Sequence, residues 1–142
     1  MIVNKHKIIQ DWVQTFLEDE HLYFESADAY PGIRTITPQY GEYVTRTDIC
    51  GFKYKSYSFI FIGYEQIDTG TSDVNTTNMY IMDKFTEWLE TQKETENFPD
   101  FGQNCSEYDI IPIQDIANLA TIQDDGLAKY MLGVRIDYKE EP

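Results

Sequence analysis

A chain of 142 residues has the size of one compact domain, and its 15% aromatic content, with 11 Tyr and 8 Phe, supplies too much ring surface for a disordered acidic polymer. The formal net charge of -14 is uneven: residues 1–71 carry 10 acidic against 6 basic side chains, and residues 72–142 carry 15 against 5. Duplex binding works by Lys and Arg displacing counterions from phosphates, so an acidic chain without a basic stripe is not expected to bind DNA directly.

The first seven residues hold bases but no apolar stretch behind them, and no apolar run approaches the ~20 residues that cross a bilayer, so a soluble cytoplasmic chain is expected. Cys50 and Cys105 stand far apart in sequence. They suit neither a disulfide framework nor a zinc knuckle, and read as small apolar thiols.

From Lys5 to about Glu18, Ile8, Ile9, Trp12, Val13, Phe16 and Leu17 recur at the spacing that gathers them into one stripe of a helix. Asp19-Glu20-His21 breaks that pattern. Leu22-Tyr23-Phe24 then reads as a short strand before a Tyr30-Pro31-Gly32 turn, and Ile33 to Thr37 as a strand that stops at Pro38. Tyr43 to Asp48 and Phe52 to Glu65 read as antiparallel strands joined near Cys50-Gly51. Within the second, Phe59-Ile60-Phe61-Ile62 does not alternate, which predicts a central strand covered on both faces.

Asp68 to Asp73 is a polar linker, after which Ser72 or Asp73 is placed to cap a helix running to about Thr95. Met82, Phe85, Trp88 and Leu89 form its apolar stripe, with Met79 and Ile81 nearby. Asp83, Glu87, Glu90 and Glu94 lie on another face, expected to be solvated. Tyr108 to Gln114, with Pro112 at an edge or bulge, and Ala117 to Ile122 read as strands, followed by an Asp124-Asp125-Gly126 hairpin turn. In the last strand Tyr130, Leu132, Val134, Ile136 and Tyr138 alternate with Met131, Gly133, Arg135, Asp137 and Lys139, so one face is core. The expected fold is α+β: two amphipathic helices on one antiparallel or mixed sheet, in a single domain over residues 1–142.

Reactive constellations are hard to write from these residues. The glycines, at 32, 41, 51, 63, 70, 102, 126 and 133, are too widely spaced for a Gly-x-Gly-x-x-Gly or Walker A loop. A zinc site would need both His and both Cys to converge from four separate places, and Asp68-x-Gly70-x-Ser72 lacks the glycine and closing glutamate of a calcium loop. A cysteine nucleophile would need His6 or His21 beside Cys50 or Cys105. Glu107 with Asp109 is a chance pair in a chain of 25 acids. The four carboxylates of the long helix lack the Glu-x-x-His partners of a di-metal bundle. No catalytic, cofactor-binding or metal-binding residue is assigned, and a small hydrolase, with only unplaced carboxylates and cysteines in its favour, ranks last among the readings.

One pattern carries more. Phe85-x-x-Trp88-Leu89-Glu90-x-Gln92, then Phe98-Pro99-Asp100-Phe101-Gly102, then Ala128-Lys129-Tyr130-Met131-Leu132 leading to Val134, Ile136 and Tyr138, resembles the minor capsid proteins of long-tailed phages and prophages, in the same order along the chain. The chain departs from that pattern at Glu94-Thr95-Glu96-Asn97, where an Asn-x-Gly turn is usual, and at Asn118-Leu119-Ala120, where an aromatic is usual.

The resemblance implies a tail-terminator-like fold and a virion structural protein, a tail terminator or tail completion protein that caps the tail tube as a ring of typically six subunits. It implies no enzymatic activity and no cofactor, and with no bilayer-length apolar run no membrane partner is expected. The implied partners are further copies of itself, the tail tube protein and the head-tail connector, with DNA passing through unbound. The implied location is the virion tail, and the host cytoplasm during assembly. Carboxylates facing such a channel would repel the passing phosphates. An alternative from another class is an acidic DNA mimic that inhibits a nucleic-acid-binding enzyme. A mimic needs carboxylates spaced like phosphates along an exposed face, whereas a ring subunit needs an unpaired edge or an apolar loop for its neighbour.

Overall fold

The structure is a computed structural model, and it describes residues 3–18, 20–25, 32–66, 72–112, 118–122 and 127–142. Along the chain run α1 (Lys5–Leu17), β1 (Leu22–Phe24), β2 (Arg34–Thr47), β3 (Lys53–Gln66), α2 (Ser72–Glu94), β4 (Cys105–Pro112), β5 (Asn118–Ile122) and β6 (Leu127–Glu140). The fold is α+β, with two helices and one six-stranded sheet among the described residues, of order β1-β2-β3-β6-β4, in which β5 also pairs with β6. β1 lies parallel to β2 and the other pairings are antiparallel, so the sheet is mixed. β3 runs along one side of β6 for its whole length, while β5 and β4 share the other side.

α1 starts where Asn4 caps it, its side chain accepting from the Lys7 amide at 3.2 Å. Ile9, Trp12 and Val13 are buried, with Ile8, Phe16 and Leu17 packed against them. Met82, Phe85 and Leu89 bury the corresponding stripe of α2, and Asp83, Glu87, Glu90 and Glu94 are exposed. The helices share one face of the sheet. There Phe61 of β3 stacks on Phe85 at 4.2 Å between centroids, and Phe16 of α1 packs against Phe85 at 5.1 Å and Phe61 at 6.3 Å.

The alternation in β6 holds: Tyr130, Leu132, Val134, Ile136 and Tyr138 are all buried. β3 is central, as the Phe59–Ile62 run predicts, with Phe59, Phe61 and Ile62 buried and Ile60 partly so.

Two strand limits differ from expectation. Pro38 does not end its strand: β2 runs on to Thr47, with a register shift between Pro38 and Gly41. β1 pairs with β2 only as far as Ile36, so Pro38 lies where the outer side of β2 has no described strand to receive a donor, and the bulge absorbs its geometry. β4 begins at Cys105, three residues before Tyr108, because Glu107 takes a positive φ of 53° at a bulge between Ser106 and Asp109 that sequence alternation cannot show. The Tyr30-Pro31 part of the first turn, the linker ahead of Ser72, the end of the β4 strand at Gln114 and the Asp124-Asp125-Gly126 turn lie outside the described residues.

The Phe98–Gly102 stretch is built as core. Asn97 N donates back to Gln92 O at 2.9 Å, Glu96 takes φ 56°, and Asp100 Oδ1 accepts from Gly102 N at 2.9 Å, which reverses the chain. Gly102 has φ +125°, a conformation that side chains disfavour. Phe101 is then buried against Tyr138 at 4.9 Å, and its amide donates to Tyr108 Oη at 3.0 Å.

Candidate functional site

A cleft of about 580 Å3 opens where the start of α1 meets the far halves of β2, β3 and β6. Extending the core alternation one step past Tyr57 in β3 and past Tyr138 in β6 puts Lys55 and Glu140 on the helix face, and Glu42, opposite Tyr57, joins them. Lys5 of α1 completes a box of alternating charge. Lys55 Nζ lies 3.1 Å from Glu42 and 2.9 Å from Glu140, while Lys5 Nζ pairs with Glu42 and lies 3.6 Å from Glu140. Tyr138 Oη donates to Glu42 as well, and Lys5 Nζ stands 5.3 Å from the Tyr138 ring centroid.

The protonation behaviour follows from this geometry. Burial pushes the Glu42 carboxyl up, but hydrogen bonds from Lys5, Tyr138 and Lys55 outweigh it and hold the group below its ordinary value. Burial pulls Lys55 down, yet its bonds to Glu140 and Glu42 leave it raised. Burial, and then the Glu42 hydrogen bond, push the Tyr138 phenol far up. All four charges are spent on one another. The box therefore clamps α1 to three strands and leaves no free charge for a ligand.

His6 and Cys105 line the same cleft, one of the four His and Cys encounters that the sequence left open. They do not form a nucleophile pair. His6 Nδ1 is 2.6 Å from Tyr57 Oη, and the nearest partner of Cys105 Sγ is Asn104 Oδ1 at 3.9 Å. Burial raises the Cys105 thiol and outweighs the opposing pull of Lys5 and Lys55, whose charges Glu42 and Glu140 offset, so it stays protonated at neutral pH. His21 instead packs edge-on against Tyr23 at 4.5 Å, and Cys50 is exposed in the β2–β3 turn. Glu107 and Asp109 face separate cations, Lys139 at 4.0 Å and Lys93 at 3.0 Å, and do not act as a pair. Among the described residues no group of three or more His, Cys, Asp or Glu is arranged to hold a metal, and no helix is long and apolar enough to cross a membrane.

The charge box escaped the sequence reading because Lys and Glu at strand ends read as solvated. The available signal was parity, since Lys55 and Glu140 continue the buried positions of their strands.

The sheet edges differ in kind. β1 is sealed by α1: Leu22 N donates to Gln14 Oε1 at 2.7 Å, and Leu22 O accepts from Gln10 Nε2 at 3.1 Å. Beyond Ile36 the outer side of β2 has no partner strand among the described residues, and it displays Tyr43 and Val44. The edge ends in the turn of residues 48–52, where Ile49 is fully exposed. β4 forms the opposite edge.

No protein-family model matches the chain, and no curated protein matches it significantly.

Proposed function

We propose that this chain is a structural subunit of a phage or prophage virion, a tail terminator or tail completion protein with a tail-terminator-like fold, which caps the tail tube as a ring. The observation that carries this reading is the open edge of β2, which ends in a turn holding Ile49 wholly in solvent. An open strand edge that displays Tyr43 and Val44 and ends in an exposed isoleucine is a liability in a solitary chain and an asset in a subunit with a neighbour. The residues of the phage resemblance support the same reading, because Phe98 to Gly102 and the alternating residues of β6 serve packing and leave the edges free to associate.

The exposed row Asp83, Glu87, Glu90 and Glu94 favours a second reading, the DNA mimic. Over 11 helical positions that row spans ~16 Å. It matches only about five base steps of one strand, where a duplex presents two.

Electron microscopy of particles made with this coding sequence deleted tests the proposal. Overlong tails, or tails not joined to heads, are expected. Capped tails of normal length joined to heads would overturn it.

A further inference from the structure

We propose that the first turn of α1, residues 3–7, is an acid-operated lid: Lys5, bound to ionised Glu42, holds it over the cleft that Cys105 lines, and protonation of Glu42 lets it swing away. The inference concerns a single chain and does not depend on the ring reading.

Two side chains tie this turn to the sheet. Val3, Asn4, His6 and Lys7 are exposed, Lys5 is partly buried, and the buried apolar stripe of α1 starts only at Ile9. Lys5 Nζ pairs with Glu42, lies 3.6 Å from Glu140 and stands 5.3 Å and 5.7 Å from the Tyr138 and Phe101 ring centroids. His6 Nδ1 lies 2.6 Å from Tyr57 Oη, and its ring meets those of Phe24 and Tyr57 edge-on at 5.6 Å and 5.4 Å. The first amides of a helix have no intrahelical acceptor, so a first turn that leaves breaks little backbone bonding, here the Ile8 N to Asn4 O bond at 3.2 Å. The rest of α1 stays anchored, because Trp12 and Phe16 pack against Trp88 and Phe85 of α2 at 4.9 Å and 5.1 Å.

Charge decides which tie fails. The titratable groups around the cleft are Lys5 and His6 from α1, Glu42 from β2, Lys55 and Tyr57 from β3, Cys105 from β4, and Tyr138 and Glu140 from β6, with Glu25 beyond β1 acting on Tyr57. With Glu42 and Glu140 ionised, two lysines face two carboxylates. Once Glu42 is neutral, both lysines face Glu140 alone, and Lys55 already holds it at 2.9 Å against 3.6 Å for Lys5. Lys5 loses that competition, and Lys5 is the lysine that belongs to the lid. Burial pushes the Glu42 carboxyl up, and the Lys5 bond leads the contacts that outweigh it and hold it below its ordinary value. The sign follows: the tie is fully present above pH 4.5 and is lost as pH falls through the lowered value, so the lid is closed at neutral pH and opens in acid.

Cys105 reports the opening, since it is buried, lines the cleft beside Lys5 and His6, and feels the Lys5 charge. Cys50→Ser leaves it as the sole thiol. Its rate with dithiodipyridine is divided by that of the urea-unfolded chain at the same pH. As pH is lowered from 7 to about 4, this ratio is expected to rise about tenfold while the far-ultraviolet circular dichroism stays native. At pH 7, Glu42→Gln and Lys5→Glu should show the raised ratio already; a glutamate suits the first turn of a helix, so Lys5→Glu leaves α1 itself intact. Lys55→Met loosens the box from the sheet side and leaves both carboxylates to Lys5, so its ratio should equal that of the parent. A rise in all three variants would be general loosening and would overturn the lid, as would a rise in none of them. A rise in Lys5→Glu alone, or a pH response that survives in Glu42→Gln, would take the trigger away from Glu42 and overturn the proposal as well.

Discussion

The indoles of Trp12 and Trp88 meet with ring centroids 4.9 Å apart, and they are the chain's two tryptophans. Trp12 also donates Nε1–H to the carbonyl of Asn97 at 3.0 Å, so one side chain joins α1 both to α2 and to the turn that follows it. Trp12→Phe removes the donor and leaves the carbonyl of the exposed Asn97 to water, an expected loss of about 0.5–1.5 kcal/mol. Urea unfolding followed by far-ultraviolet circular dichroism measures this, and an unchanged midpoint would refute the coupling.

Lys55→Met removes one corner of the charge box and leaves Glu42 and Glu140 to share Lys5. Fully buried pairs lose about 3–5 kcal/mol when one partner is deleted. These side chains keep some solvent contact, so about 1–2 kcal/mol is expected. Equal urea midpoints for the two proteins would show that the clamp contributes nothing.

Glu42 makes the same box sensitive to acid. Its folded pKa lies below the ordinary 4.5, so its stabilisation is fully present above pH 4.5 and is lost as pH falls through the lowered value. The stability difference between wild type and Glu42→Gln should therefore be constant from neutral pH down to about 4.5 and shrink below it. A difference independent of pH would exclude Glu42 as the titrating group.

The two thiols should be kinetically distinct. Cys50 is exposed and Cys105 is buried with a raised pKa. Ellman's reagent should modify one thiol per native chain promptly and the second only in denaturant. Two fast thiols in the native protein would place Cys105 outside the core.

Phe101→Ala tests whether the Phe98 to Gly102 turn is structural. Removing a buried phenyl ring costs about 3–5 kcal/mol. Glu90→Gln on the exposed face of α2 should stay within about 0.5 kcal/mol of wild type. The reverse ranking in thermal unfolding would make the turn a surface feature.

Hydrophobic period made both helices and the last strand legible, since Ile9, Trp12 and Val13, Phe85 and Leu89, and Tyr130 to Tyr138 are buried as their spacing requires. Positions decided by backbone irregularity were not. The bulge that carries β2 past Pro38 and the positive φ of Glu107 depend on neighbouring strands that local sequence does not reveal. The charge box lay deeper still, because its corners are residues 5, 42, 55 and 140, and only the register of three strands brings them together. The juxtaposition of His6 with Cys105 was likewise invisible, and so was the Tyr57 hydroxyl that occupies His6.

The two glutamines that seal β1 give α1 a second duty. Gln10 and Gln14 occupy the backbone groups of Leu22 only while the helix lies on the sheet. Detachment of α1 and exposure of a sticky strand are then one event with one free energy. A lesion in this helix would show itself as aggregation of chains whose sheet is still intact before it showed as unfolding, and its severity would track helix docking more closely than the stability of the whole protein.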